Sequence, residues 1–75
     1  MDINSVIGVN IQRIRRSLSV TQEELHHRTG LTRGYLSKLE KGDGNPTVIS
    51  LQKIADALDV TLEDLVRRQK LNDSL

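Results

Sequence analysis

The chain is 75 residues long, carries a formal net charge of +1 and contains no cysteine, tryptophan or phenylalanine. A domain of this size buries only about 60% of the surface its unfolded chain exposes, which leaves no room for a deep substrate cavity beside a core. Disulfides and thiolate metal sites are excluded, no apolar run approaches the roughly 20 residues of a membrane helix, and a single tyrosine makes no stacking platform for single-stranded nucleic acid.

Leu, Ile and Val together number 23, enough for a compact core and too many for a disordered chain. The N-terminus lacks a basic region followed by an apolar block, which together with the missing cysteines favours the cytoplasm. The charges are segregated. Residues 1–18 are net +2, residues 31–46 net +1, residues 47–66 net −3, and the last nine residues net +2. Such a chain can turn one face to a polyanion.

Five helices are predicted, and no strand. Ile7, Ile11, Ile14 and Leu18, widened by Val6, form one face of the first. The second opens at Thr21, with Glu24 in the capping-box position, runs through Leu25 to about Thr29 and stops at Gly30. The third opens at Thr32, carries Leu36 and Leu39 and runs to about Lys41, where Gly42 begins a loop, Gly42-Asp43-Gly44-Asn45-Pro46. The fourth begins near Thr47 and spaces Leu51, Ile54, Ala55 and Leu58 along one face. The fifth begins at Thr61, with Asp64 in the capping-box position, and carries Leu62, Leu65 and Val66. Residues 6–68 make the core of one domain, 1–75, and the tail 69–75 extends the last helix or frays.

The second and third helices are short, and only Gly30-Leu31-Thr32 joins them. A turn this short forces a steep crossing, closed by Leu25, Leu31, Leu36 and Leu39. This is helix-turn-helix geometry, which holds the third helix out toward a DNA major groove. At that point the sequence resembles a known family. Residues Thr21–Gly42 (TQEELHHRTGLTRGYLSKLEKG) are similar to the Cro and phage-repressor-type, lambda-repressor-like helix-turn-helix family. The flanks IQRIRRSLSV and NPTVISLQKIADALDV agree with its first and fourth helices, so the likeness spans residues 7–66. It implies an all-α, compact five-helix DNA-binding domain.

Side-chain chemistry assigns candidate contacts within that frame. Gln22 sits in the first turn of the second helix, where an amide donor beside free backbone N–H groups suits a phosphate oxygen, and the family places a Gln there. Thr21 caps the same helix and is a second phosphate candidate. Thr32, Arg33, Ser37 and Lys38 project away from the Leu36/Leu39 edge. Arg33 lies in the first turn of the recognition helix, and its guanidinium can pair with O6 and N7 of guanine. Lys38 can reach a base or a phosphate. Gly34 stands where the family usually has a side chain; it permits close approach and shifts weight to Arg33, Tyr35 and Lys38. Tyr35 either meets a base or phosphate or packs at the rim of the corner.

The resemblance further implies backbone contacts from Lys41 and Asn45 in the loop, opposed by Asp43; Arg13 and Asn10 are within reach of the backbone from the first helix. It implies a structural ion pair between Arg15 and Glu40. Two departures stand out. His26 replaces the usual Ala where the second helix meets the third, implying a corner repacked with help from the bare Gly34, and Ser19 replaces the Gly that often ends the first helix.

Other chemistry finds no support. His26 and His27 are adjacent, point apart and cannot chelate one metal. Asp56, Asp59, Glu63 and Asp64 read as a solvated acidic face, and Gly42–Gly44 lacks the strand and Lys-Ser/Thr of a nucleotide loop. No enzyme, cofactor, metal or small-molecule ligand is expected. One such head makes too small an interface for tight specific binding, so a homodimer through Leu62, Leu65, Val66, Gln69 and Leu71 is expected, some of these leucines packing inward instead, on a palindrome with half-sites about 10 bp apart. Phage repressors, restriction–modification controllers and antitoxin-like regulators all fit. The rival is a protein-interaction module or antitoxin-like adaptor that retains the fold.

Overall fold

The computed structural model describes residues 1–68. Five helices follow in order: α1 (Ile3–Ser17), α2 (Gln22–Thr29), α3 (Arg33–Glu40), α4 (Val48–Ala57) and α5 (Leu62–Val66), with no strand among the described residues. Side chains with an oxygen near the backbone open each of them. Asp2 accepts from the Ser5 N–H at 2.8 Å, so α1 starts four residues before the Ile7 stripe begins. Thr21 accepts from Glu24 N–H and Thr32 from Tyr35 N–H. Thr47 with Ser50 and Thr61 with Asp64 close complete capping boxes. The box expected at Thr21 is half made, because the Glu24 carboxylate turns to Arg28 at 2.7 Å.

Three helices end alike. The N–H of Val20 donates to the Arg15 carbonyl and that of Ser19 to Arg16; Val60 and Asp59 donate to Ala55 and Asp56; Asp43 and Gly42 donate to Lys38 and Leu39. These are Schellman closures, and each puts one residue in the left-handed region: Ser19 at φ 59°, Asp59 at φ 58° and Gly42 at φ 79°. Ser19 therefore does the work of the glycine it stands in for, at a steric cost glycine would avoid.

Ile7, Ile11, Ile14, Val20, Leu25, Leu36, Leu39, Leu51, Ile54, Ala55, Leu58 and Leu65 form one core cluster. Leu18, counted in the first helical stripe, is instead a half-exposed C-cap. Leu65, expected on a dimer surface, is completely buried in the core, because α5 lies against both α1 and α4. Leu62 and Val66 are partly buried against the same cluster. Gln69 and Leu71 lie outside the described residues, as does the tail's expected continuation of α5; the backbone is already extended at Arg67 (φ −73°, ψ 132°).

Asn10 explains where α5 stops. It is fully buried, and its Nδ2 donates to the Leu65 and Arg67 carbonyls at 2.9 and 2.8 Å. It caps a helix end and is not a DNA contact as expected, because both amide hydrogens are spent inside. Gly8 fixes the approach of α1 to α3: a Cβ there would lie 2.4 Å from the Leu39 carbonyl oxygen and 2.7 Å from that of Glu40. Arg28 ties α2 to α4 by donating to the Ala57 carbonyl at 3.1 Å.

Candidate DNA interface

The turn between α2 and α3 is built from local hydrogen bonds. Gly30 takes φ 77° and donates its N–H to the His26 carbonyl at 2.8 Å. Thr29 Oγ1 donates to the Leu25 carbonyl and accepts from the Leu31 N–H. His26 Nδ1 donates to the Leu31 carbonyl at 2.6 Å; the carbonyl can only accept, so the proton sits on Nδ1. That bond is how a ring fits where the family usually has Ala. Gly34 gives no help, contrary to expectation: a Cβ there would meet nothing within 4 Å, so the corner does not depend on its missing side chain.

Behind α3 lies a buried polar network. Arg15 Nε and Nη2 donate to Glu40 at 2.7 and 2.9 Å, and Arg15 Nη1 donates to the Val20 carbonyl at 2.9 Å. The two side chains are only 9% and 3% exposed. The hydrogen bonds to Glu40 raise the Arg15 pKa above its ordinary value. This two-pronged pair fastens the C-terminal end of α3 to α1, as the resemblance implies. Gln22 joins it, its Nε2 donating to Glu40 Oε1 at 3.1 Å. One amide hydrogen of Gln22 is thereby committed, and the second remains for a phosphate.

The outer edge of α3 carries Thr32, Arg33, Gly34 and Lys38, all exposed, with Ser37 half-buried between them. Lys41 and Asn45 continue the exposed line into the loop. That loop is held in place, since the Lys38 carbonyl accepts from Lys41, Asp43 and Gly44. Tyr35 is half-buried: its hydroxyl bonds Ser50 Oγ at 2.8 Å and its ring packs on the core, so it fastens α3 to α4. Arg13 is exposed on α1. Asp64 is held below the ordinary carboxylate value mainly by its bonds to Thr61, and the charges of Arg67 and Arg13 add to this.

The acidic stretch is divided among small structural tasks. Asp64 caps α5, and Asp56 accepts from Gln52 at 2.9 Å. Among the described residues no three His, Asp or Glu side chains gather as a metal site, and no described helix is long and apolar enough to cross a membrane. Two features escaped sequence reasoning. Glu23 on α2 binds Arg33 across the turn, and Val48 and Ile49 at the start of α4 are 69% and 72% exposed. The i, i+4 spacing of Glu23 and His27 was visible; its reach to Arg33 needed the fold.

An all-α domain whose second and third helices meet at a three-residue turn, with a basic edge turned outward, is a helix-turn-helix domain. Residues 11–65 match the family described as helix-turn-helix, HTH_3, and the chain belongs to that family of transcriptional regulators. It is 47% identical over 66 residues to the uncharacterised HTH-type transcriptional regulator y4dJ of Sinorhizobium fredii, covering 88% of this chain and 86% of that one. The crystal structure of a hypothetical transcription factor, NHTF, from Neisseria superposes with a TM-score of 0.88 at 29% identity, over 97% of this chain and 84% of that one. The restriction–modification controller protein C.Esp1396I, seen as a tetramer with its natural 35-base-pair operator, superposes with a TM-score of 0.76 at 27% identity, over 89% of this chain and 99% of that one.

Proposed function

We propose that this helix-turn-helix regulator binds a palindromic operator in double-stranded DNA as a homodimer and acts in the cytoplasm as a repressor or autoregulator. The observation that carries the reading is the mounting of α3. Its exposed edge holds Arg33 and Lys38, while Arg15, Glu40 and Gln22 fix its inner face to α1 and α2. A side chain that must meet a base edge within a few tenths of an ångström needs a scaffold of that stiffness.

Arg33 reads a guanine with two parallel hydrogen bonds, and Thr32, Ser37 and Lys38 complete the base-facing edge, with Gly34 allowing close approach. Thr21, Gln22, Lys41 and Asn45 bond phosphates. The backbone N–H groups of Gln22 and Glu23 precede the first helical bond of α2 and add two further phosphate donors. Asp43 lies within the loop and limits how closely the backbone approaches there. Occupancy of a promoter by this domain blocks transcription.

A second copy completes the interface, since one module covers too little DNA for tight specific binding. With Leu65 committed to the core, we assign the copy-to-copy surface to Val48 and Ile49 together with the exposed parts of Leu62 and Val66. Twofold symmetry then spaces the half-sites by about one helical turn. The operator-bound relative supports an assembly of more than one chain.

The test is selection from randomised duplex DNA at a fixed salt concentration, followed by sequencing, because phosphate contacts make affinity steeply salt-dependent. The expected result is an enriched inverted repeat with one-turn spacing and a guanine in each half-site. Weak binding with no enriched sequence would refute the reading and favour a fold retained for a protein partner.

A further inference from the structure

The Arg33 side chain is not free before DNA arrives. It is the first residue of α3, and its Nη1 donates to Glu23 Oε1 on α2, ten residues earlier and across the turn. The second oxygen of Glu23 accepts from His27 Nε2 at 3.0 Å, which keeps the carboxylate from swinging away. Both members of the Arg33–Glu23 pair are more than half exposed, with side-chain accessibilities of 62% and 53%. An exposed pair of this kind adds little to folding stability. Glu23 is also unfavourable for simple DNA affinity, because it adds a negative charge to a protein that must approach a polyanion.

A guanidinium has five N–H donors, and Glu23 engages one. The other Nη1 hydrogen and the Nη2 hydrogens remain as a fork that can meet O6 and N7 of a guanine. Without Glu23 the long Arg33 side chain would sample many rotamers, including those that reach for a phosphate and carry no sequence information.

We infer that Glu23 is a positioning residue for sequence reading: it holds Arg33 in the orientation that meets guanine and away from phosphate, so that it raises discrimination and not affinity. The inference rests on the reading of Arg33 as the base contact. Glu23 touches no base itself.

The experiment is a double-mutant cycle on the full chain. Parent, Glu23→Ala, Arg33→Ala and the double variant are titrated against the duplex recovered by selection and against a scrambled duplex of the same length and composition, at one salt concentration. The quantity compared is the ratio of the two affinities, which cancels any general repulsion of phosphate by Glu23. Thermal melts of each variant check that the fold is intact. Glu23→Ala is expected to lower the ratio about fivefold while tightening binding to the scrambled duplex, and to change the ratio no further once Arg33→Ala is present. Glu23→Gln, which keeps an acceptor oxygen, should fall between parent and Glu23→Ala.

An unchanged ratio in Glu23→Ala overturns the inference, as does an equal drop with and without Arg33, and both leave the operator reading intact when Arg33→Ala itself lowers the ratio. If Arg33→Ala leaves the ratio unchanged, or selection yields no duplex, the base-contact reading fails and takes the inference with it.

Discussion

Removing Glu40 tests the idea that α3 is mounted and not merely packed. In Glu40→Ala the Arg15 guanidinium stays buried, keeps only its bond to the Val20 carbonyl and loses both bonds to carboxylate. Gln22 loses its partner at the same time. Breaking one side of a buried pair costs about 3–5 kcal/mol, most of it from the charge left without compensation. A domain of this length has a total stability on the order of 4–11 kcal/mol. The variant should therefore lose a large part of its stability, equivalent to a fall in Tm of about 12–40 °C. Urea and thermal denaturation followed by helical circular dichroism measure this directly. The double variant Arg15→Met/Glu40→Leu removes both charges and fills the space, so it should recover most of the loss. A cost below about 1 kcal/mol for Glu40→Ala, or a double variant no better than the single, would refute the account of a buried pair fixing α3.

Gly8→Ala brings a methyl group against two backbone oxygens at 2.4 and 2.7 Å, well inside an ordinary C–H···O separation of about 3.3 Å. It should cost about 1–3 kcal/mol in urea denaturation and speed amide exchange at the end of α3. Ser19→Gly relieves a left-handed residue at the end of α1 and should stabilise the chain by about 0.5–1 kcal/mol, read as a raised Tm. Asp2 and Asp64 both have folded pKa values below the ordinary 3.8, chiefly through backbone bonds to Ser5 and Thr61. The stability they contribute is complete above pH 3.8 and is lost as pH falls through their lower folded values. Asp64→Asn should flatten that acid limb in melts taken between pH 5 and pH 2.

The helix-turn-helix and its flanks were legible because their signals are local. Thr21, Thr32, Thr47 and Thr61 each stand immediately before a helix, and Gly30 and Gly42 stand where left-handed backbone is needed. What local pattern cannot supply is which neighbour an apolar or polar side chain meets. Leu62, Leu65 and Val66 are equally apolar, and only the docking of α5 on α1 and α4 decides that Leu65 is interior. Asn10 and Arg13 lie three apart on α1 and look alike as polar surface, yet one caps α5 from within and the other is exposed. Tyr35 likewise turns to α4 because Ser50, fifteen residues away, offers its hydroxyl. Gly8 did leave a trace: a glycine inside an apolar helical stripe is costly unless a second backbone passes close by.

The proposed function depends on the exposed edge of α3 reading DNA through Arg33. The most direct measurement is the affinity of parent and Arg33→Ala for the selected operator and for its variants carrying each of the other three bases at the guanine position. Arg33→Ala should lose about 1–3 kcal/mol on the operator and bind all four variants nearly equally. Arg33→Ala binding the operator as tightly as the parent, with the guanine preference intact, would contradict it.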